Sequence, residues 1–160
     1  MKSENVPGIE GVDTRALTKI IREKGSMLGK IVIEDDTGVE MVDPNTMNLV
    51  AEVSTPSVKT VNVSGSPRIC AVDCGLKQNQ IRCLVTRGAR VDIVPWDHPL
   101  DPDHYDGLFL SNGPGDPQTC VPTVQHLRTL VSSSVKPIFG ICLGHQLLSV
   151  AAGCKTYKLK

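Results

Sequence analysis

The segment that most constrains the fold is residues 137–152. Residues 137–141, Pro-Ile-Phe-Gly-Ile, form a short apolar run that reads as a buried strand. Cys142 follows, bracketed by Gly140 and Gly144 as Gly-x-Cys-x-Gly. Beyond Gly144 the period becomes helical, with Leu147, Leu148, Ala151 and Ala152 on one side. A strand that turns sharply through small residues into a helix lifts its corner residue out of the sheet. Cys142 is therefore expected at a helix N-terminus, where the positive end of the dipole favours thiolate over thiol. The N–H of Leu143 would point to where an oxyanion forms. The competing reading is a buried structural cysteine in an ordinary strand-to-helix turn.

The remainder of the second half has the same alternation. Strands are expected at 69–72, 91–94, 108–110 and 138–141, and helices at 78–87, 121–131 and 145–152, with a further strand beginning in 154–160. Short loops joining alternating strands and helices imply an α/β fold with a doubly wound parallel sheet over 68–160. In such sheets, sites lie beyond the carboxyl ends of the strands. The first 56 residues read differently, as the end of a small α+β domain. They hold a helix at 12–24 capped by Asp13 and stopped by Gly25, a strand at 27–33, a charged turn at 34–38 and a helix starting at Pro44. Residues 57–67 are polar with Gly65 and Pro67 at the end, and read as a linker with an extended piece near 58–63.

The loop Ser-Asn-Gly-Pro-Gly-Asp-Pro at 111–117 follows the third of these strands. Gly113 and Gly115 let the backbone approach a ligand and turn its N–H groups toward it. A phosphate cradle is disfavoured, because the Lys-Ser/Thr of a P-loop and the G-x-G-x-x-G spacing are both missing. Opposite Leu143, the Gly113 N–H could be the second oxyanion donor that acyl chemistry on an amide requires. The alternative is a proline-braced connection with no chemistry.

Composition excludes several classes. The 17 basic and 17 acidic residues balance to a formal charge of +0, which argues against nucleic-acid or membrane-surface binding by bulk electrostatics. No apolar run approaches membrane-spanning length, and the first residues lack the apolar stretch of a secretory signal. The six cysteines are scattered without a C-x-x-C pair, so reduced thiols are expected rather than a disulfide framework or a metal site. His98, His104 and His126 carry no pattern and are expected on solvent-facing positions.

The string Phe-Gly-Ile-Cys-Leu-Gly-His-Gln at 139–146 resembles the active-site turn of class I, triad-type glutamine amidotransferases. Further strings resemble the carbamoyl-phosphate synthetase small subunit. They are Gly-Val-Asp-Thr-Arg-Ala-Leu-Thr at 11–18, Ile-Arg-Glu-Lys-Gly-Ser-Met at 21–27, Val-Asp-Cys-Gly-Leu-Lys-Gln-Asn-Gln-Ile-Arg at 72–82, Val-Pro-Trp-Asp-His at 94–98 and Leu-Ser-Asn-Gly-Pro-Gly-Asp-Pro at 110–117. Gly-Cys-Lys-Thr-Tyr-Lys at 153–158 leans toward the animal multifunctional pyrimidine enzyme.

The resemblance implies Cys142 as nucleophile, Gly113 and Leu143 as oxyanion donors, and Gly113, Gly115, Leu143 and Gln146 as the glutamine site, with no metal. His145 is read as a packing residue, since the family's catalytic His and acidic partner lie farther along. The resemblance also implies L-glutamine as substrate, a cytoplasmic location and, as partner, a large synthetase subunit or fused synthetase domain. That partner uses ATP and Mg; no cofactor is implied for this segment. Some urea-cycle relatives carry Ser in place of the nucleophile; the Cys142 of this chain implies glutamine rather than free ammonia as nitrogen source. The family's length implies a piece truncated at both ends and inactive alone. The alternatives are a non-catalytic α/β interaction module and another class I glutamine amidotransferase.

Overall fold

The computed structural model describes residues 2–25, 27–32, 38, 40–133 and 136–157. The chain divides into two compact units, Met1–Asp43 and Pro44–Lys160.

In the first unit, α1 (Thr14–Lys24) starts where Asp13 predicts, with the Ala16 N–H donating to Asp13 Oδ1 at 2.9 Å. It ends at Gly25, whose φ of 78° is left-handed. The apolar face is present but uncovered: Leu17, Ile20 and Ile21 are 49%, 41% and 46% exposed. The expected strand at 27–33 is not formed in 27–32, and residue 33 and the turn at 34–37 lie outside the described residues. Every described residue from 2 to 42 is exposed, so alternation in 27–32 has no covered face to fill. The β part of the expected α+β piece is thus missing among the described residues.

The second unit begins earlier than the expected linker. Pro44 opens a 3₁₀ turn (Pro44–Thr46), and the helix α2 (Leu49–Val53) starts only after Asn48, whose side chain accepts the N–H groups of Val50 and Ala51. Val50 is fully buried in the sheet's core. The Trp96 N–H donates to Ser54 Oγ at 3.0 Å, and the Thr55 N–H to Asp73 Oδ2 at 2.9 Å. These ties put residues 44–55 with the sheet, so the division falls at 43–44 rather than across 57–67. The extended piece of the expected linker is itself a strand, β1 (Lys59–Val61).

The sheet follows, with β2 (Arg68–Asp73), α3 (Gln78–Thr86), β3 (Arg90–Pro95), β4 (Gly107–Leu110), α4 (Val121–Ser133), β5 (Ile138–Gly140) and α5 (Leu143–Ala151). Strand order is β1-β3-β2-β4-β5. All neighbours are parallel except β1, which runs antiparallel to β3 and pairs Thr60 with Asp92. Alternation along each strand divides the core between the two faces. Cys70, Val72, Leu108 and Leu110 meet Val124 and Leu127 of α4 and Leu143 and Leu147 of α5. Ala71, Val91, Ile93 and Phe109 meet Ile81, Leu84 and Val85 of α3. Helices therefore cover both faces, as a doubly wound sheet requires. Residues 154–157 form no strand, and 158–160 lie outside the described residues. Among the described residues, no helix is long and apolar enough to cross a membrane.

Candidate active site

The corner after β5 is built from close approach. The Ile141 N–H donates to Leu110 O at 3.0 Å, extending the β4–β5 ladder one residue past the strand. Cys142 then adopts φ 52°, ψ −107°, a left-handed backbone that non-glycine residues rarely occupy. Helix α5 starts at the next residue, two positions before the expected His145, with the Gln146 N–H closing its first turn on Cys142 O at 3.0 Å. The Gly144 N–H is shared between Ser111 O at 3.1 Å and Ile141 O at 2.9 Å. Cys142 is exposed at this corner and Leu143 is buried under it.

The glycine loop lies beside this corner. A Cβ on Gly113 would overlap the Cys74 carbonyl oxygen and come within 2.8 Å of Leu143 Cδ2, so Gly113 sits between the end of β2 and the start of α5. Gly115, at φ 84°, packs near Leu49 of α2. Gly115 and Gln146 both line a cleft of about 770 Å³, together with Asn45, Met47, Lys155 and Tyr157. Cys142 and Gly113 lie outside that lining. Gln146 and His145 are exposed on the first turn of α5. His126, expected toward solvent, is half-buried with its Nδ1 enclosed, because its neighbour Leu127 carries that part of α4 into the core. Among the described residues, no cluster of three His, Cys, Asp or Glu side chains could hold a metal ion.

Sequence reasoning did not find the polar frame behind the glycine loop. Asp73 Oδ1 accepts the N–H groups of Gly75 at 2.9 Å and Leu76 at 2.7 Å, and Asn112 Nδ2 donates to Gly75 O at 3.0 Å. An Asp at a strand end followed by x-Gly was the available signal, since Asp favours turns that bond its own backbone two residues on.

All six cysteines are free. Cys70 and Cys74 are buried, and desolvation pushes both thiols from the ordinary 9.0 up to about 12. Asp92 adds to the shift at Cys70, and Cys120 and Asp73 to that at Cys74. Burial raises Cys120 as well. Alkylation of the native protein near pH 8 should therefore modify Cys83, Cys142 and Cys154 and spare these three, as mapped by peptide mass spectrometry. Because the folded values of Cys70 and Cys74 lie above the unfolded one, their contribution to stability is complete below about pH 9 and is lost as pH rises toward 12. The unfolding midpoint should fall across that window.

Comparison with known proteins agrees with this geometry. The family "Glutamine amidotransferase class-I" matches residues 70–160, and "Carbamoyl-phosphate synthase small chain, CPSase domain" matches residues 1–31. The chain is 53% identical to "Multifunctional protein CAD" of Squalus acanthias, over 100% of this chain and 7% of that protein. It is 50% identical to human "Carbamoyl-phosphate synthase [ammonia], mitochondrial", over 99% of this chain and 11% of that one. It is 46% identical to the "Carbamoyl phosphate synthase arginine-specific small chain" of Aspergillus niger, over 98% of this chain and 36% of that one. The chain thus spans about a third or less of the length of these relatives. With the family match beginning inside β2 and running through α5, across the glycine loop and the Cys142 corner, the chain belongs to the class-I glutamine amidotransferases.

Proposed function

We propose that this chain is the glutamine-hydrolysing segment of a carbamoyl-phosphate synthetase. The observation that carries the reading is Cys142, exposed at a left-handed corner on the N-terminus of α5, in a chain about half identical to carbamoyl-phosphate synthases along its length. The Cys142 thiolate attacks the side-chain amide carbon of L-glutamine, and the oxyanion is held by the N–H groups of Gly113 and Leu143. Ammonia leaves, a γ-glutamyl thioester remains, and water releases glutamate. Gly113, Gly115, Leu143 and Gln146 bind the substrate; the cleft beside Gly115 and Gln146 supports a position for its amino-acid end. A general base takes the thiol proton and returns it to the departing ammonia; that role is assigned to none of His98, His104, His126 or His145. The ammonia passes to a large synthetase subunit or fused domain, which uses ATP and Mg to build carbamoyl phosphate from bicarbonate in the cytoplasm. No cofactor acts on the chemistry at Cys142 itself.

The human relative's name specifies ammonia as nitrogen source. The retained thiol at Cys142 favours glutamine here. Treating the full-length protein with a glutamine-mimicking diazoketone should give a single adduct on Cys142, and glutamine should protect against it. An adduct on another residue, or labelling that glutamine fails to suppress, would remove this assignment.

A further inference from the structure

Ser111 is the first residue of the glycine loop and is completely buried. Its hydroxyl has two partners. Oγ accepts the Cys74 N–H at 2.9 Å and donates its own proton to Asn112 O at 2.8 Å. The main chain on either side is tied as well. Ser111 N–H donates to Val72 O at 3.2 Å, and Ser111 O accepts the Gly144 N–H at 3.1 Å. Asn112 Nδ2 donates to Gly75 O at 3.0 Å. The Asn112–Gly113 peptide is thus held to the β2 turn on one side, while Ser111 ties the loop to the first turn of α5 on the other.

The bond to Asn112 O is the one with a chemical consequence. The peptide unit is planar, and the Asn112–Gly113 bond is not among the cis bonds of the chain, so it is trans. In a trans peptide the C=O and N–H point in opposite directions. Fixing the Asn112 carbonyl on the Ser111 hydroxyl therefore fixes the direction of the Gly113 N–H. Glycine at 113 offers little resistance to rotation of that peptide. Close packing sets where the loop lies: a Cβ on Gly75 would come 3.1 Å from Gly113 Cα and 3.4 Å from Asn112 O. Packing between glycines has no preference for which end of the peptide faces the corner, whereas a directed hydrogen bond does.

We infer that Ser111 is a positioning residue for amide hydrolysis: its buried hydroxyl holds the Asn112 carbonyl and so aims the Gly113 N–H at the oxyanion. This rests on the reading of Gly113 as an oxyanion donor given above. Without the hydroxyl, the Asn112 carbonyl loses its partner and the peptide is free to turn its oxygen toward the site. An oxyanion donor acts on the transition state and little on the bound amide, so the loss falls on kcat rather than KM. Removing such a donor outright costs roughly 10²–10³ in kcat. A peptide turned away about 90–99% of the time should cost about 10- to 100-fold.

The test uses Ser111→Ala in the full-length enzyme. Expected results are a kcat for glutamine hydrolysis reduced about 10- to 100-fold, a KM within about threefold of wild type, and an inhibition constant for a glutamine-derived aldehyde raised by the same factor as the loss in kcat. The aldehyde forms a tetrahedral hemithioacetal on Cys142 and so reports the oxyanion site directly. Alkylation of Cys142 by iodoacetamide, a displacement that develops no oxyanion, should keep its wild-type rate. A kcat within about twofold of wild type, a loss carried wholly by KM, or an alkylation rate that falls in step with kcat would each overturn the proposal. If Ser111→Ala does not fold, Ser111→Cys decides. Its S–H is a weak donor at the same position, so the Asn112 carbonyl loses its firm partner while the side chain keeps nearly its size; the same kcat-only loss supports the proposal and an unchanged kcat overturns it. A wild-type enzyme whose glutamine hydrolysis did not depend on Cys142 would instead sink the functional reading, which keeps the two failures apart.

Discussion

Cys142→Ala in the full-length protein should lower glutamine-dependent synthesis by at least about 10⁴-fold while leaving ammonia-dependent synthesis within about twofold. Loss of a covalent nucleophile costs roughly 10⁴–10⁶ in turnover where it has been isolated, because the remaining donors and base have no attacking atom to act on. No other thiol can take its place. Cys70, Cys74 and Cys120 are buried with their thiols raised, and so stay protonated at working pH. Cys83 is exposed but belongs to α3, on the sheet face opposite α5, and Cys154, also exposed, follows the C-terminal end of α5 whereas Cys142 caps its start. Cys142→Ser should be nearly as damaging, since a hydroxyl at the same corner ionises far less readily than a thiol. The measurement is glutamate release beside carbamoyl phosphate formation, with glutamine or ammonium as donor. Retention of more than about 1% of glutamine-dependent turnover in the alanine variant would assign the attacking group elsewhere. Parallel loss with both donors would mean that the substitution had damaged the synthetase reaction instead.

What the sequence disclosed follows from how far each interaction reaches. Strands β2 to β5 and helices α3 to α5 were legible because their apolar period and their glycine and proline boundaries are local. The corner was legible because glycines two positions either side of Cys142 have few other uses. The antiparallel β1 was read only as an extended piece, since its pairing to Asp92 and Ile93 is made across distant residues. That residues 44–55 pack with the sheet was not legible, because nothing local marks Val50 as a core residue of that unit. The strand expected at 27–33 shows the opposite failure, in which a two-residue alternation had no covered face to act on in 27–32. The frame around Ser111 was invisible for the same reason as β1. Its hydroxyl bonds an N–H 37 positions away, and a serine before Asn-Gly reads simply as a turn residue.

Gly144→Ala should destabilise the amidotransferase domain by about 3 kcal/mol, at the upper end for overpacking, and Gly153→Ala should cost only about 1 kcal/mol. The two glycines are needed for different reasons. Gly153 sits at φ 95° with nothing within 4 Å of an added Cβ, so alanine there meets only backbone strain. Gly144 has no left-handed φ, but a Cβ on it would overlap Leu110 O and come within 2.7 Å of Leu110 Cβ. Leu110 cannot yield easily, because it lies in β4 and is paired to Val72 on one side and Gly140 on the other. Relief would have to come from moving α5, and with it the Gly144–Ser111 hydrogen bond and the Cys142 corner. Gly140→Ala should behave like Gly144→Ala, since its Cβ would meet Gly144 O at 2.6 Å and His145 N at 2.6 Å. Both would push the same turn outward, so the double variant should cost less than the sum of the two singles. Chemical denaturation followed through the domain's own transition gives all four values. A Gly144→Ala cost no greater than that of Gly153→Ala would show that α5 can shift away from β4 at little expense, and the corner holding Cys142 would then be a soft feature rather than one fixed by the sheet beneath it.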